Sequence, residues 1–392
     1  MFKKFALLLL TLVVLVGCSV ATPAPLPVEI TPTGSFTAQA SATLPAPTET
    51  ATALPSPTAA PSSPPGGPAI DPLTGEPVSN PALLERRPLV VKVENLPRAD
   101  RPQYGLSAAD LVYEYYTEEG TTRFAAVFYG KDAERVGPIR SARFFDANVI
   151  RMYKGIFAFG SAYQRVLDRF HAAEFARQLV VETPRDCPPM CRLDPNGRNF
   201  LVTDTAQLSQ YAARLGIDNK RQDLSGMDFS AGPGPGGQPA PEIYTHYSAA
   251  IYNRWDYDAA AGRYLRWVDQ DNAGSPDQEK YGQLVDKKNN QPIGVENVVM
   301  LFVDHQYIVK TPTEVFDMNL MGSGTAYAAR DGQIYKLKWQ RSSPGQILRL
   351  TDESGKPYAY QPGQTWYEVL SLQSKVEQNQ QGWRFSFIQP PK

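Results

Sequence analysis

Leu111-Val112-Tyr113-Glu114-Tyr115-Tyr116 and, after a short polar turn, Arg123-Phe124-Ala125-Ala126-Val127-Phe128-Tyr129 are two runs dense in β-branched and aromatic residues. They read as a β-hairpin turning near Glu119-Gly120. A tip at Glu118 and Glu119 would set Glu114 opposite Arg123 on one face of the sheet, near enough for an ion pair. Upstream, Pro88-Leu89-Val90-Val91-Lys92-Val93 reads as a further buried strand, preceded by the turn-rich Asp71-Pro72-Leu73-Thr74-Gly75, where the fold should begin. Ser107 could cap a short helical turn ahead of the hairpin.

Downstream the pattern becomes helical. Gly137-Pro138 ends one segment, Ser141 is placed to cap, and Phe145, Val149 and Met152 recur at helical spacing. Further helices are expected over Arg165 to Leu179 and Thr205 to Leu215. Gly232-Pro233-Gly234-Pro235-Gly236-Gly237 can continue no element and reads as a boundary between residues 71–231 and 240–392 or as a long surface loop. Beyond it the pattern is β: Ile243 to Trp255, Tyr264 to Val268, Val298 to Val303, hairpins at Asp331-Gly332 and Ser354-Gly355, then Thr365 to Leu370 and Trp383 to Ile388. An α/β first domain followed by a β-rich second is therefore expected. Tyr244, Tyr247, Tyr252, Trp255 and Trp267 could stack on sugar rings, but aromatics in strands more often build a core, and that is the expectation.

The first 70 residues are not foldable material. Lys3 and Lys4 precede an apolar run too short to span a bilayer comfortably, closed by Leu15-Val16-Gly17-Cys18. This resembles a bacterial lipobox, so residues 1–18 are expected to be an export signal and Cys18 to take the lipid. Residues 19–70 are Ala, Thr, Pro and Ser with almost no large apolar side chains, which makes them a disordered tether. Extended, they would reach on the order of 150 Å. The expected address is outside the cell, at the outer face of the cytoplasmic membrane, or at an outer membrane if the envelope has one.

In that oxidising setting Cys187 and Cys191 are expected to close a local disulfide, because no paired histidine accompanies them for zinc. No metal or cofactor is expected. A net charge of −1 with 20% charged residues lacks the basic excess a nucleic-acid binder needs. The three histidines, His171, His246 and His305, follow no nucleophile signature, and Ser141 has no elbow around it.

Several segments together resemble the YerB-type lipoprotein family, a two-domain family of unknown function. They are Asp71-Pro72-Leu73-Thr74-Gly75, Ala109-Asp110-Leu111-Val112-Tyr113-Glu114 through Thr122-Arg123-Phe124, and Gly137-Pro138-Ile139-Arg140-Ser141-Ala142-Arg143. In the second half they are Gly322-Ser323-Gly324, Arg330-Asp331-Gly332, Trp339 and Pro362-Gly363-Gln364-Thr365-Trp366. The resemblance implies an α+β fold, a layered β/β/α sandwich-like N-terminal domain followed by a β-rich C-terminal one, and it implies no activity. Two departures stand out. Ala158-Phe159-Gly160-Ser161 lacks the histidine frequent in relatives, and Glu119 stands where glycine is common.

The candidate site gathers Glu114, Glu118, Arg123, Arg140, Ser141 and Arg143 at strand and helix ends. Two guanidiniums beside a helix N-terminus make an anion site for phosphate or carboxylate. The plainer reading is an ion-pair network that fixes the fold. Glycoside cleavage by Glu114 and Glu118 would need one raised pKa, and three arginines work against that. The expected role is a non-catalytic, lipid-anchored envelope protein that binds an anionic or wall-derived ligand or a protein partner. An envelope hydrolase using Glu114 and Glu118 and an assembly scaffold are the alternatives.

Overall fold

The computed structural model describes residues 67–183, 185–194 and 200–391; Cys18, the signal and the tether up to residue 66 lie outside the described residues. What is described is mostly β. A twelve-stranded sheet runs through it. The hairpin of β2 (Leu111–Tyr116) and β3 (Thr122–Phe128) lies inside that sheet, with β1 (Leu89–Glu94) antiparallel to β3. Parallel β4 (Ile156–Phe159) and β5 (Leu179–Val181) extend this side. On the other side of β2 lies strand Thr365–Ser371, parallel to it, then the long strand Asn297–Val309, its antiparallel neighbour Gly322–Arg330, and beyond that Gln333–Arg341, antiparallel to Gly322–Arg330. A strand from near the C-terminus thus pairs directly with the hairpin that the sequence singles out.

β1 and β2 are buried along their whole length, as a central strand covered on both faces must be. One face of the large sheet meets a seven-stranded sheet that includes Glu242–His246, Tyr252–Asp258, Arg263–Asp269 and Trp383–Ser386. There Trp366 packs edge-on against Phe124 and Trp255, at 5.1 and 5.4 Å between ring centroids. The opposite face meets helix α1 (Asp146–Tyr153), and Tyr153 bonds Tyr113 through their hydroxyls at 2.6 Å. Helices α2 (Gln164–His171) and α3 (Thr205–Arg214) complete the α content among the described residues.

Several expectations are corrected. The run Ile243 to Trp255 is two strands, because Tyr247 to Ile251 folds into a turn closed by Ser248. The helix expected over Arg165 to Leu179 ends at His171, and Leu179 already belongs to β5. Ser141 does not cap a helix: α1 begins five residues later, where the Asp146 carboxylate accepts the Arg143 amide at 2.7 Å. Ser107 does lie in a helical turn, Leu106–Ala108, but its hydroxyl donates to Asp286. Of the five aromatics assigned to the core, Tyr247, Tyr252 and Trp255 are buried, whereas Tyr244 and Trp267 sit half-buried on the outer face of the smaller sheet. Strand alternation turns Trp255 to the inner face, whereas Tyr252 shares the outer face with Tyr244 and is buried there against Tyr281 and His246.

Candidate functional site

The hairpin's register decides which charged residues meet. Its tip spans Thr117 to Thr121, tied by Thr117 N–H to Thr121 O at 2.9 Å and Thr121 N–H to Glu118 O at 2.8 Å, with Glu119 and Gly120 at φ of 49° and 78°. A tip of this length pairs Tyr116 with Thr122, Tyr115 with Arg123 and Glu114 with Phe124. The expected pairing of Glu114 with Arg123 is therefore off by one residue, and one residue of slip moves a side chain to the other face of the sheet. Glu114 and Arg123 point in opposite directions.

On the face toward the smaller sheet, Glu114 lies beside Glu368 in parallel register, with Arg266 between them and no exposure for any of the three. Arg266 Nη2 donates to Glu114 at 2.5 Å and Nη1 to Glu368 at 3.1 Å. Thr122 and Asn95 donate to Glu114 at 2.7 and 3.1 Å, and Trp255 and Tyr247 donate to Glu368 at 3.0 and 3.1 Å. The guanidinium is also held over Trp366 and Trp255, 4.3 and 4.8 Å from the ring centroids. Burial pushes Glu114 up to about 7, against the pull of Arg266. This cluster is dry and ties the two sheets together.

The other face carries a second set. Lys92 and Asp146 meet at 3.1 Å with neither side chain exposed, and Tyr115 donates to the same carboxylate at 2.5 Å. Burial pulls the Lys92 ammonium down to about 7, with Asp146 opposing. Nearer the surface, Glu118 accepts from Arg123 Nη2 at 2.9 Å and from Arg143 Nε at 2.7 Å, and Arg143 Nη2 reaches it as well. The guanidiniums are fixed further by backbone carbonyls, Arg123 on Ser141 O at 3.0 Å and Arg143 on Ala142 O at 2.8 Å. Burial works to raise the Glu118 carboxyl, but the hydrogen bond and charge of Arg143, then the charge of Arg123, hold it below the usual range. Two cations on one carboxylate leave the trio with one positive charge.

Arg140 is drawn aside, pairing with Glu94, whose carboxyl burial pushes up to about 8 against that arginine's hydrogen bond and charge. The Ser141 hydroxyl meets that of Ser161 at 2.8 Å. Of the six candidate residues, Glu118, Arg123 and Arg143 are brought together, Arg140 and Ser141 flank them, and Glu114 lies across the sheet. Lys92, Asp146, Arg266 and Glu368 escaped the sequence reading. Lys92 and Glu368 each carry a signal, a lone charge inside an apolar strand, which asks for a buried partner.

Glu118 and Arg143 form one end of a cleft of ≈ 360 Å³ whose walls are otherwise largely apolar, including Tyr163, Val166, Val309 and Pro312. Pro312 and Glu314 are shared with a second cleft of ≈ 410 Å³ lined by Tyr116, Glu119 and Ser248. Both are lined by the turn that follows strand Asn297–Val309. Among the first cleft's apolar walls, Tyr163 is 45% exposed and Val166 is fully buried. Among the described residues, no group of three or more His, Cys, Asp or Glu side chains is placed to hold a metal. Cys187 and Cys191 are joined as a disulfide with Cα atoms 4.7 Å apart.

Residues 73–218 match the N-terminal domain, and residues 243–367 the C-terminal domain, of a family described as protein of unknown function DUF3048. The chain is 26% identical over 314 residues to a Bacillus subtilis (strain 168) protein named "Putative lipoprotein YerB", covering 76% of this chain and 85% of that one. The crystal structure of the YerB protein from Bacillus subtilis superposes with a TM-score of 0.64 at 24% identity, covering 77% of this chain and 96% of the other, and shows the same fold.

Proposed function

The chain belongs to the YerB-type, two-domain family of unknown function, and from that premise we propose that it is a lipid-anchored envelope protein that binds an anionic, wall-derived ligand at the Glu118–Arg143 cleft without transforming it. In this reading residues 1–18 direct export, Cys18 carries the lipid at the outer face of the cytoplasmic membrane, and residues 19–70 tether the domains over 71–231 and 240–392. The lipoprotein name of the Bacillus subtilis relative supports the anchor.

The observation that carries the binding role is the pair Glu118 and Arg143 at the wall of a cleft that is apolar apart from them, Thr313 and Glu314, with Arg123 bound to Glu118 behind it, so that the trio keeps one positive charge. A ligand with a phosphate or carboxylate and an apolar portion would balance the trio's charge and fill the cleft. Hydrolysis by paired carboxylates finds less support, since Glu114 is sealed on the opposite face and Glu118 is held ionised by its arginines.

The test uses full-length protein in a non-glycosidic detergent, titrated calorimetrically with a soluble polyol-phosphate polymer and with carboxylate-bearing muropeptides. Arg143→Ala and Arg123→Ala should each weaken binding by about tenfold, as loss of a charge-assisted hydrogen bond does, with the unfolding midpoint little changed. Unaltered affinity combined with a large loss of stability would make the trio a structural network instead.

A further inference from the structure

The smaller sheet has an outer face that the cleft does not touch. Its central row, read across neighbouring strands, is Arg384, Tyr244, Arg254 and Trp267, alternating planar cation and aromatic ring. Residues paired directly across a sheet share a face, so this alternation is set by register alone. Arg384 lies 4.8 Å from the Tyr244 ring centroid, and Arg254 lies 5.2 Å from Trp267 and 5.1 Å from Tyr281. All of these side chains are only half-buried.

The guanidiniums are pinned in place. Arg254 makes a two-pronged pair with Asp256 at 2.6 and 2.7 Å, and Arg384 makes another with Glu279 at 3.0 and 2.8 Å. Both arginines are thereby neutralised on the face itself, which removes the excess charge that a nucleic acid, an acidic polymer or an anionic lipid surface would need. What remains is a strip of part-exposed rings held between pinned guanidinium planes. Four strands at about 4.8 Å spacing make it about 14 Å long.

We infer that this strip is a second binding site, distinct from the Glu118–Arg143 cleft, and that its ligand is a neutral oligosaccharide. The C–H faces of pyranose rings pack on part-exposed aromatic rings, and the Asp256 carboxylate and the guanidinium edges beside the rings match vicinal hydroxyls and acetamido groups, whereas the Glu279 side chain is buried and spent on Arg384, His246 and Tyr281. Preorganisation favours this occupant, because the planar groups lose little freedom on binding.

The probe is a neutral N-acetylglucosamine hexamer added to full-length protein in a zwitterionic, sugar-free detergent, followed by calorimetry and by ligand-observed saturation-transfer NMR. Binding should saturate, and Tyr244→Ala and Trp267→Ala should each weaken it by about tenfold. Arg384→Lys, which keeps charge but loses the flat stacking edge, should also weaken it without altering the far-ultraviolet circular dichroism. Arg143→Ala should leave it unchanged, which separates this site from the cleft. Absence of saturable binding, wild-type affinity in Tyr244→Ala and Arg384→Lys, or tighter binding of a sulfated chain would each overturn the inference. So would a concentration-dependent dimer abolished by Trp267→Ala, which would give the face to a second copy.

Discussion

Arg266 and Glu114, separated by 152 positions in sequence, meet at 2.5 Å with neither side chain exposed. Arg266 comes from the smaller sheet and Glu114 from the centre of the larger one, so this contact fixes how the two sheets stack. It also resolves a conflict within the larger sheet, where Glu114 and Glu368 are direct neighbours on parallel strands. Arg266→Met should leave two carboxylates side by side in a dry layer and destabilise the protein by about 3–5 kcal/mol. Urea unfolding measures this, and adding Glu114→Gln and Glu368→Gln to the same chain should recover much of the loss. A stable Arg266→Met single variant would show that the triad does not carry the sheet interface.

The same carboxyl gives a pH signature. Burial raises Glu114 from 4.5 to about 7, so between those values the native state holds a proton that the unfolded state has released. Stability from this group therefore falls as pH rises through that window, by about 1.4 kcal/mol per unit at most. Glu114→Gln removes the dependence, so the variant should gain on the wild type as pH rises from about 4.5 to 7 and hold its advantage above. Parallel unfolding curves at pH 5, 6 and 7 check the sign, and a difference that shrinks over this range contradicts it.

The hairpin, the helix near Phe145 and the later strands are legible in the sequence because each depends on local periodicity and turn chemistry. The placement of Glu114 relative to Arg123 is not, because register depends on the length of a polar tip whose residues, Thr117 to Thr121, carry no apolar pattern to fix it. The partnership of Arg266 and Glu368 with Glu114 is hidden for another reason. The strand of Arg266 alternates like any other and that of Glu368 is buried throughout, and only the stacking of the two sheets and the long-range pairing of Thr365–Ser371 with β2 bring them to Glu114. The local disulfide was readable because its partners are four positions apart; the aromatic strip was not, because core and outer face alternate along the same strands.

Glu119 adopts φ of 49° at the hairpin tip, a left-handed conformation that strains an L side chain by about 1 kcal/mol. Glu119→Gly should relieve that strain and raise stability by a few tenths to about 1 kcal/mol, offset in part by the greater freedom of the unfolded chain. Gly120→Ala should do the reverse, since φ there is 78° and a Cβ would come within 3.1 Å of the Ser248 hydroxyl. Thermal unfolding of the two variants should move in opposite directions. Equal shifts would show that the tip tolerates either residue.

Lys92 and Asp146 form the buried pair beneath the candidate cleft, and Asp146 also accepts the backbone N–H of Arg143 at 2.7 Å. Asp146→Ala leaves an ammonium, the Tyr115 hydroxyl and that amide without their common acceptor, and should destabilise by about 3–5 kcal/mol. Lys92→Met should be milder, because Asp146 keeps Tyr115 and the Arg143 amide as donors. In a double-mutant cycle the pair should show about 1–3 kcal/mol of coupling. The consequence reaches the ligand site: Asp146→Asn, which keeps the shape but weakens the hold on Arg143, should reduce affinity for an anionic ligand more than Lys92→Met does. Equal affinities in the two variants, or additive stabilities, would mean that the buried pair does not position Arg143.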